Sequence, residues 1–122
     1  MSQRTWFQHL LDDNNAVELR VQDARDRWTS GIYDDLEALL RDMAHFNERG
    51  CNVYTSLNPP THYVVTNRVH RKVQALKDAD VERYTRLLID LDPECEEPPS
   101  SDEELDRARE AARRVHALMK GY

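Results

Sequence analysis

The sequence predicts an α/β fold, and three observations carry that prediction. Apolar spacing alternates between a helical period and a two-residue period several times along the chain. Proline, glycine and polar clusters punctuate the changes, and there is no internal repeat. The whole extends over 122 residues with 39% apolar and 33% charged residues, one domain's worth of chain with a thin core. Strands separated by helices imply layered packing in which some strands run parallel.

"RTWFQHLLDD" opens the chain as a short helix with Trp6, Phe7, Leu10 and Leu11 near one face. "AVELRVQD" then sets Val17, Leu19 and Val21 against Glu18, Arg20 and Gln22, the alternation of a half-buried strand. Polar residues and Gly31 break that pattern. In "YDDLEALLRDMAHFNERG", Leu36, Leu39, Leu40, Met43 and Phe46 recur at helical spacing. Asp34 and Asp35 suit the positive end of the helix dipole, and Gly50 is placed to stop the helix. "CNVYTSLNPP" alternates again and ends as a strand at Asn58-Pro59-Pro60, because proline cannot donate to a ladder.

"THYVVTNRVHRKVQAL" predicts a helix with Val65, Val69, Val73 and Leu76 on one stripe. "DADVE" links it to a strand from Tyr84 to Asp92. "PECEEPPSS" carries three prolines in nine residues and reads as loop. The last helix begins at a capping box of Ser101 and Glu104, with Leu105, Ala108, Ala112, Val115 and Met119 as its buried stripe and Gly121 as its stop.

Net charge is −6, unevenly placed: Asp92 to Asp106 holds eight acids and no base, whereas Asn67 to Lys77 holds Arg68, Arg71, Lys72 and Lys77 and no acid. Such a strip is either a phosphate-binding surface or a solvated face. Residues 94–106 also read as a flexible acidic ligand for a protein partner. No window approaches the ~20 apolar residues of a membrane span. The N-terminus lacks the apolar core of a signal peptide. Cys51 and Cys95 stand alone and predict free thiols in a reducing cytoplasm.

The chemistry concentrates in "RLLIDLDP". On a strand, Leu87, Ile89 and Leu91 point one way while Leu88, Asp90 and Asp92 point the other, which sets the two aspartates ~6.5–7 Å apart on one face. Two carboxylates that close repel unless a cation lies between them. Hard oxygen ligands suit Mg²⁺ or Mn²⁺, which borrow further ligands from substrate phosphates. The plainer alternative has Asp92 cap the turn before Pro93, and on spacing alone it is preferred.

The flanking segments change that weighting. "ELR" at 18–20, "GIYDDLEAL" at 31–39, "NVYTSLNP" at 52–59, "TNRV" at 66–69, "DVERYTRLLIDLDP" at 80–93, "SSDEELDRAREAA" at 100–112 and "LMKGY" at 118–122 occur in order. Together they resemble the N-terminal portion of the archaeo-eukaryotic primase superfamily, and more narrowly the bifunctional DNA primase–polymerase domains of phages, plasmids and mobile elements. The resemblance covers the chain from residue 17 onward.

It implies an N-terminal α/β module over residues 1–82, running into the first strand, acidic loop and helix of an RRM-like catalytic module over 83–122. It also implies that Asp90 and Asp92 hold the catalytic Mg²⁺ or Mn²⁺ for template-directed phosphodiester formation from nucleoside triphosphates. The implied partners are a DNA template and a helicase domain or partner, with no membrane. Asn58, Asn67 and Arg68 match recurrent polar positions, and with Arg71 and Lys72 they are candidates for nucleotide or nucleic-acid contact. The other reading makes Asn58 a strand-end turn residue and leaves the rest on a solvated face. Cys95 stands where family members often carry an arginine. The family's later S-G-N-G-x-H strand and further aspartate have no counterpart here, so the chain alone is expected to be an inactive fragment. The alternative is a non-catalytic module binding nucleic acid or protein through the basic strip.

Overall fold

The computed structural model describes residues 1–89, 91, 99 and 101–120. The chain divides into two compact units, Met1–Leu87 and Leu88–Tyr122. The first is a small mixed α/β domain. Its elements are α1 (Gln3–Asn14), β1 (Val17–Gln22), β2 (Trp28–Tyr33), α2 (Leu36–Glu48) and β3 (Asn52–Thr55), followed by irregular chain with one 3₁₀ turn at Asp78–Asp80. The second unit contains α3 (Asp102–Met119).

Local chemistry sets the helix ends. Ser2 caps α1 by accepting the Thr5 backbone N–H, and Asn15 closes it in the left-handed region at φ 67°. Asp35 caps α2 through the Ala38 N–H, and Gly50, at φ 78°, takes the left-handed turn after it. In α3 the capping box forms as the sequence predicts: Ser101 Oγ accepts the Glu104 N–H at 3.2 Å, and Glu104 Oε1 accepts the Ser101 N–H at 2.8 Å. These backbone and side-chain donors hold the Glu104 carboxyl below the usual carboxylate range.

The sheet has the order β2-β1-β3 among the described residues, and both pairings are antiparallel. This corrects the expectation of parallel strands. The hairpin loop Asp23–Arg27 joins β1 directly to β2, so no crossover helix intervenes. Asp23 builds that loop: its Oδ1 accepts the Arg25 and Arg27 N–H groups at 2.8 and 3.0 Å. The Arg27 N–H is the main reason that the Asp23 carboxyl sits below its ordinary range. Asp26 takes φ 59° to complete the reversal.

One face of the sheet is the core. Val17, Leu19 and Val21 of β1 meet Phe7, Leu10 and Leu11 of α1 and Ala38 and Leu39 of α2, with Tyr33 among them. Each fully buried aliphatic side chain here contributes on the order of 2 kcal/mol. Cys51 packs at the margin as a free thiol.

The segment expected to be a helix, residues 61–76, is not one. Its backbone is used by the sheet: the N–H groups of Thr66 and Asn67 donate to the Ile32 carbonyl at 2.8 and 2.9 Å, and that of His70 to the Ser30 carbonyl at 2.9 Å. It thereby covers the outer edge of β2. Asn67 adopts φ 50°, which a helix does not accommodate, and β-branched valines favour the extended path. The Arg68 carbonyl passes so close to Gly31 that a Cβ there would overlap it, which explains the glycine in β2.

The expected strand from Tyr84 to Asp92 is also not seen over its described part. Thr85 and Arg86 donate their N–H groups to Asn58 Oδ1, at 2.9 and 3.0 Å, rather than to a ladder. Leu87, Leu88 and Ile89 are exposed. In the second unit, α3 buries no residue, so the stripe from Leu105 to Met119 is not the buried face expected. Gly121, expected to stop α3, lies outside the described residues. Among the described residues no helix is long and apolar enough to cross a membrane.

Candidate nucleic-acid interface

Asp90 and Asp92, the expected metal ligands, lie outside the described residues. Among the described residues no group of three or more His, Cys, Asp or Glu side chains converges as a cation site would require. What the structure does describe is how the chain is held just before them. Asn58 Oδ1 accepts two successive N–H groups, and Asn14 Oδ1 accepts the Thr85 hydroxyl at 2.8 Å. Arg86 Nη2 donates to Asp13 Oδ2 at 2.7 Å, while its guanidinium carbon stands 5.1 Å from the Trp6 ring centre. Asn58 therefore ties backbone 27 and 28 residues away in sequence.

Asn67 is likewise committed. Its Oδ1 accepts the Asp34 and Asp35 N–H groups at 3.0 and 3.2 Å, and its Nδ2 donates to Asp34 Oδ1 at 2.9 Å. It fixes the approach to α2. Arg68 contributes its carbonyl to the Thr66 hydroxyl at 2.7 Å and leaves its side chain exposed. Arg71 and Lys72 are exposed as well, and the Lys72 N–H donates to His70 Nδ1 at 3.0 Å. The structure thus separates the five candidates into two anchors, Asn58 and Asn67, and three exposed cations on one strip.

The same strip returns across the second face of the sheet. The register places Glu18, Arg20, Gln22, Trp28, Ser30, Ile32, Asn52 and Tyr54 on that face. Glu18 is buried there at 4% exposure. Its Oε2 accepts the Leu76 N–H at 2.7 Å, and its Oε1 accepts Arg20 Nε at 2.8 Å. Arg20 Nη2 completes the loop by donating to the Leu76 carbonyl. A buried carboxylate is therefore balanced by one guanidinium and one backbone donor, and the crossing at Leu76 is locked. Between this crossing and residues Thr61–Val64 lies a cleft of about 780 Å³ floored by Ile32, with His62, Lys72 and Asp80 on its walls.

Beyond the crossing the sheet face is open. Trp28 and Tyr54 meet above the central strand with ring centres 5.7 Å apart and planes 35° apart, at 52% and 49% exposure. With Glu18, Arg20 and Ser56 they line a second hollow of about 320 Å³. Sequence reasoning missed this feature because it read the stretch around Gly31 as a break. The available signal was alternation of Trp28, Ser30 and Ile32 against Gly31 and Tyr33.

No protein-family model, curated protein or solved structure matches this chain.

Proposed function

We propose that the chain is the N-terminal part of a DNA primase–polymerase that forms phosphodiester bonds from nucleoside triphosphates on a DNA template. The observation that carries the reading is the ordered run of segments closing on "RLLIDLDP", in which Asp90 and Asp92 offer two carboxylates one residue apart. In the proposed reaction a 3′-hydroxyl attacks the α-phosphorus, the bond to the β-phosphate oxygen breaks, and pyrophosphate leaves. Asp90 and Asp92 would hold Mg²⁺ or Mn²⁺, which would supply positive charge for the phosphate oxygens. The anchoring of Thr85 and Arg86 by Asn58 supports the reading by restraining the chain that leads into the motif.

The test is Mn²⁺ titration followed by electron paramagnetic resonance. The chain is expected to bind Mn²⁺, and Asp90→Ala and Asp92→Ala are each expected to weaken binding at least tenfold by removing a hard-oxygen ligand. Equal binding by both variants removes the catalytic reading.

A second reading, a non-catalytic nucleic-acid module, is favoured by one observation. Arg68, Arg71 and Lys72 project from a segment whose backbone is tied to the sheet edge, with their side chains exposed. It predicts binding indifferent to metal.

A further inference from the structure

The open sheet face has features that neither the metal motif nor the basic strip requires. Large aromatic side chains are usually buried, because their area contributes strongly to folding. Here Trp28 and Tyr54 come from the two outer strands and meet across β1, each about half exposed. Arg20 lies on the same face, directly opposite Tyr54 in the register. Its guanidinium is held by Glu18 and the Leu76 carbonyl, so it cannot swing away freely.

Charge narrows the class of ligand. Glu18 and Arg20 offset one another, so the floor of the hollow is close to neutral and suits a planar aromatic ring rather than an ion. The surroundings are different. The acid-free strip containing Arg68, Arg71, Lys72 and Lys77 borders this face at two places, at Ser30 through His70 and at Glu18 and Arg20 through Leu76. Stacking surfaces beside a cationic track are what a flexible polyanion carrying flat rings requires. Duplex DNA hides the faces of its bases and does not meet that requirement.

We infer that the Trp28–Tyr54 face is a stacking site for bases of single-stranded nucleic acid, whose phosphates follow the Arg68–Lys77 strip. The inference rests on the nucleic-acid part of the proposed function and is independent of metal ligation by Asp90 and Asp92. A proline-rich peptide would also pack on the two rings, but it has no use for the strip, and the cations therefore favour the nucleic acid.

The experiment uses the full chain with EDTA present and a fluorescently labelled oligothymidylate, followed by anisotropy at several salt concentrations. Binding is expected to weaken with salt. Trp28→Ala and Tyr54→Ala should each weaken it about tenfold, the scale of one lost stacking partner. Tyr54→Phe keeps the ring and should bind like the parent. Arg68→Ala combined with Arg71→Ala should weaken binding and flatten its salt dependence. Circular dichroism identifies folded variants. Tyr54→Leu serves as the ring-deleting variant if Trp28→Ala does not fold, and it should also weaken binding.

Three results would overturn the inference: unchanged binding by ring-deleting variants, equal affinity for a duplex of the same length, or binding indifferent to salt and to the two arginines. Asp90→Ala and Asp92→Ala should leave oligothymidylate binding unchanged. If they also leave Mn²⁺ binding unchanged while Trp28→Ala loses the oligonucleotide, the catalytic reading fails and the stacking site stands.

Discussion

Tyr33 is fully buried, and its one polar atom donates to Asp42 Oδ2 at 2.6 Å. Burial first, and then this hydrogen bond, raise its pKa above the ordinary phenol value. Because the folded state holds the phenol proton more tightly than the unfolded chain does, the resulting stability is fully present below pH ~10. It is lost as the pH rises from there towards the folded-state value. Denaturant melts across alkaline pH should therefore show a fall in stability, and Tyr33→Phe should show a shallower one. At neutral pH the variant should lose about 1 kcal/mol, the usual contribution of such a bond. At this scale the sequence reveals residue type and not partner. Tyr33 was visible at the head of the α2 stretch, but Asp42 enters its environment only because α2 packs on β2. Asn58 was likewise visible as a polar residue at a strand end, and Asn67 as one on the face of an expected helix. That both serve backbone N–H groups depends on segments about 30 residues distant in sequence, as their separations of 27 and 33 record.

Elements whose signals are local were the legible ones. α1, β1, α2, β3 and the capping box of α3 are each specified by apolar period and end residues within a single window. β2 was not, because Thr29, Ser30 and Gly31 have little apolar content, and the strand exists through its pairing with β1 on one side and residues 66–70 on the other. The valine spacing of 61–76 mimics a helical stripe, yet the Thr66, Asn67 and His70 N–H groups pair with the edge of β2 instead. Asn67 joins the two levels, since it turns that edge segment and also holds the chain entering α2. Asn67→Ala should lose three hydrogen bonds and strain the left-handed backbone, lowering stability by about 2 kcal/mol in thermal or denaturant melts. Asn67→Gly restores the backbone freedom without the bonds and should fall between the two. Equal stability of the alanine variant and the parent would mean that α2 is positioned by packing alone.

At the scale of the whole molecule, stability is concentrated in the first unit. Among the described residues the core cluster runs from Phe7 to Leu39, and the partly buried side chains packed against it reach to Val69. The ladder pairs, the covered β2 edge and the Glu18–Arg20–Leu76 lock also close within residues 1–87. α3, by contrast, combines a well-formed N-terminal cap with no fully buried residue, Ala108 and Val115 being half-buried. Helices without a packed face gain little beyond propensity and local charge pairs such as Arg113–Glu110. A chain ending at residue 87 should therefore unfold in one cooperative transition, with a midpoint within a few degrees of the longer chain's. Amide hydrogen exchange on the longer chain should show the same division. Protection should be high for β1 and for the N–H groups paired with it, and low along α3. If truncation at residue 87 abolishes the cooperative transition, then residues beyond it complete the core, and the stability of the fold belongs to the chain as a whole.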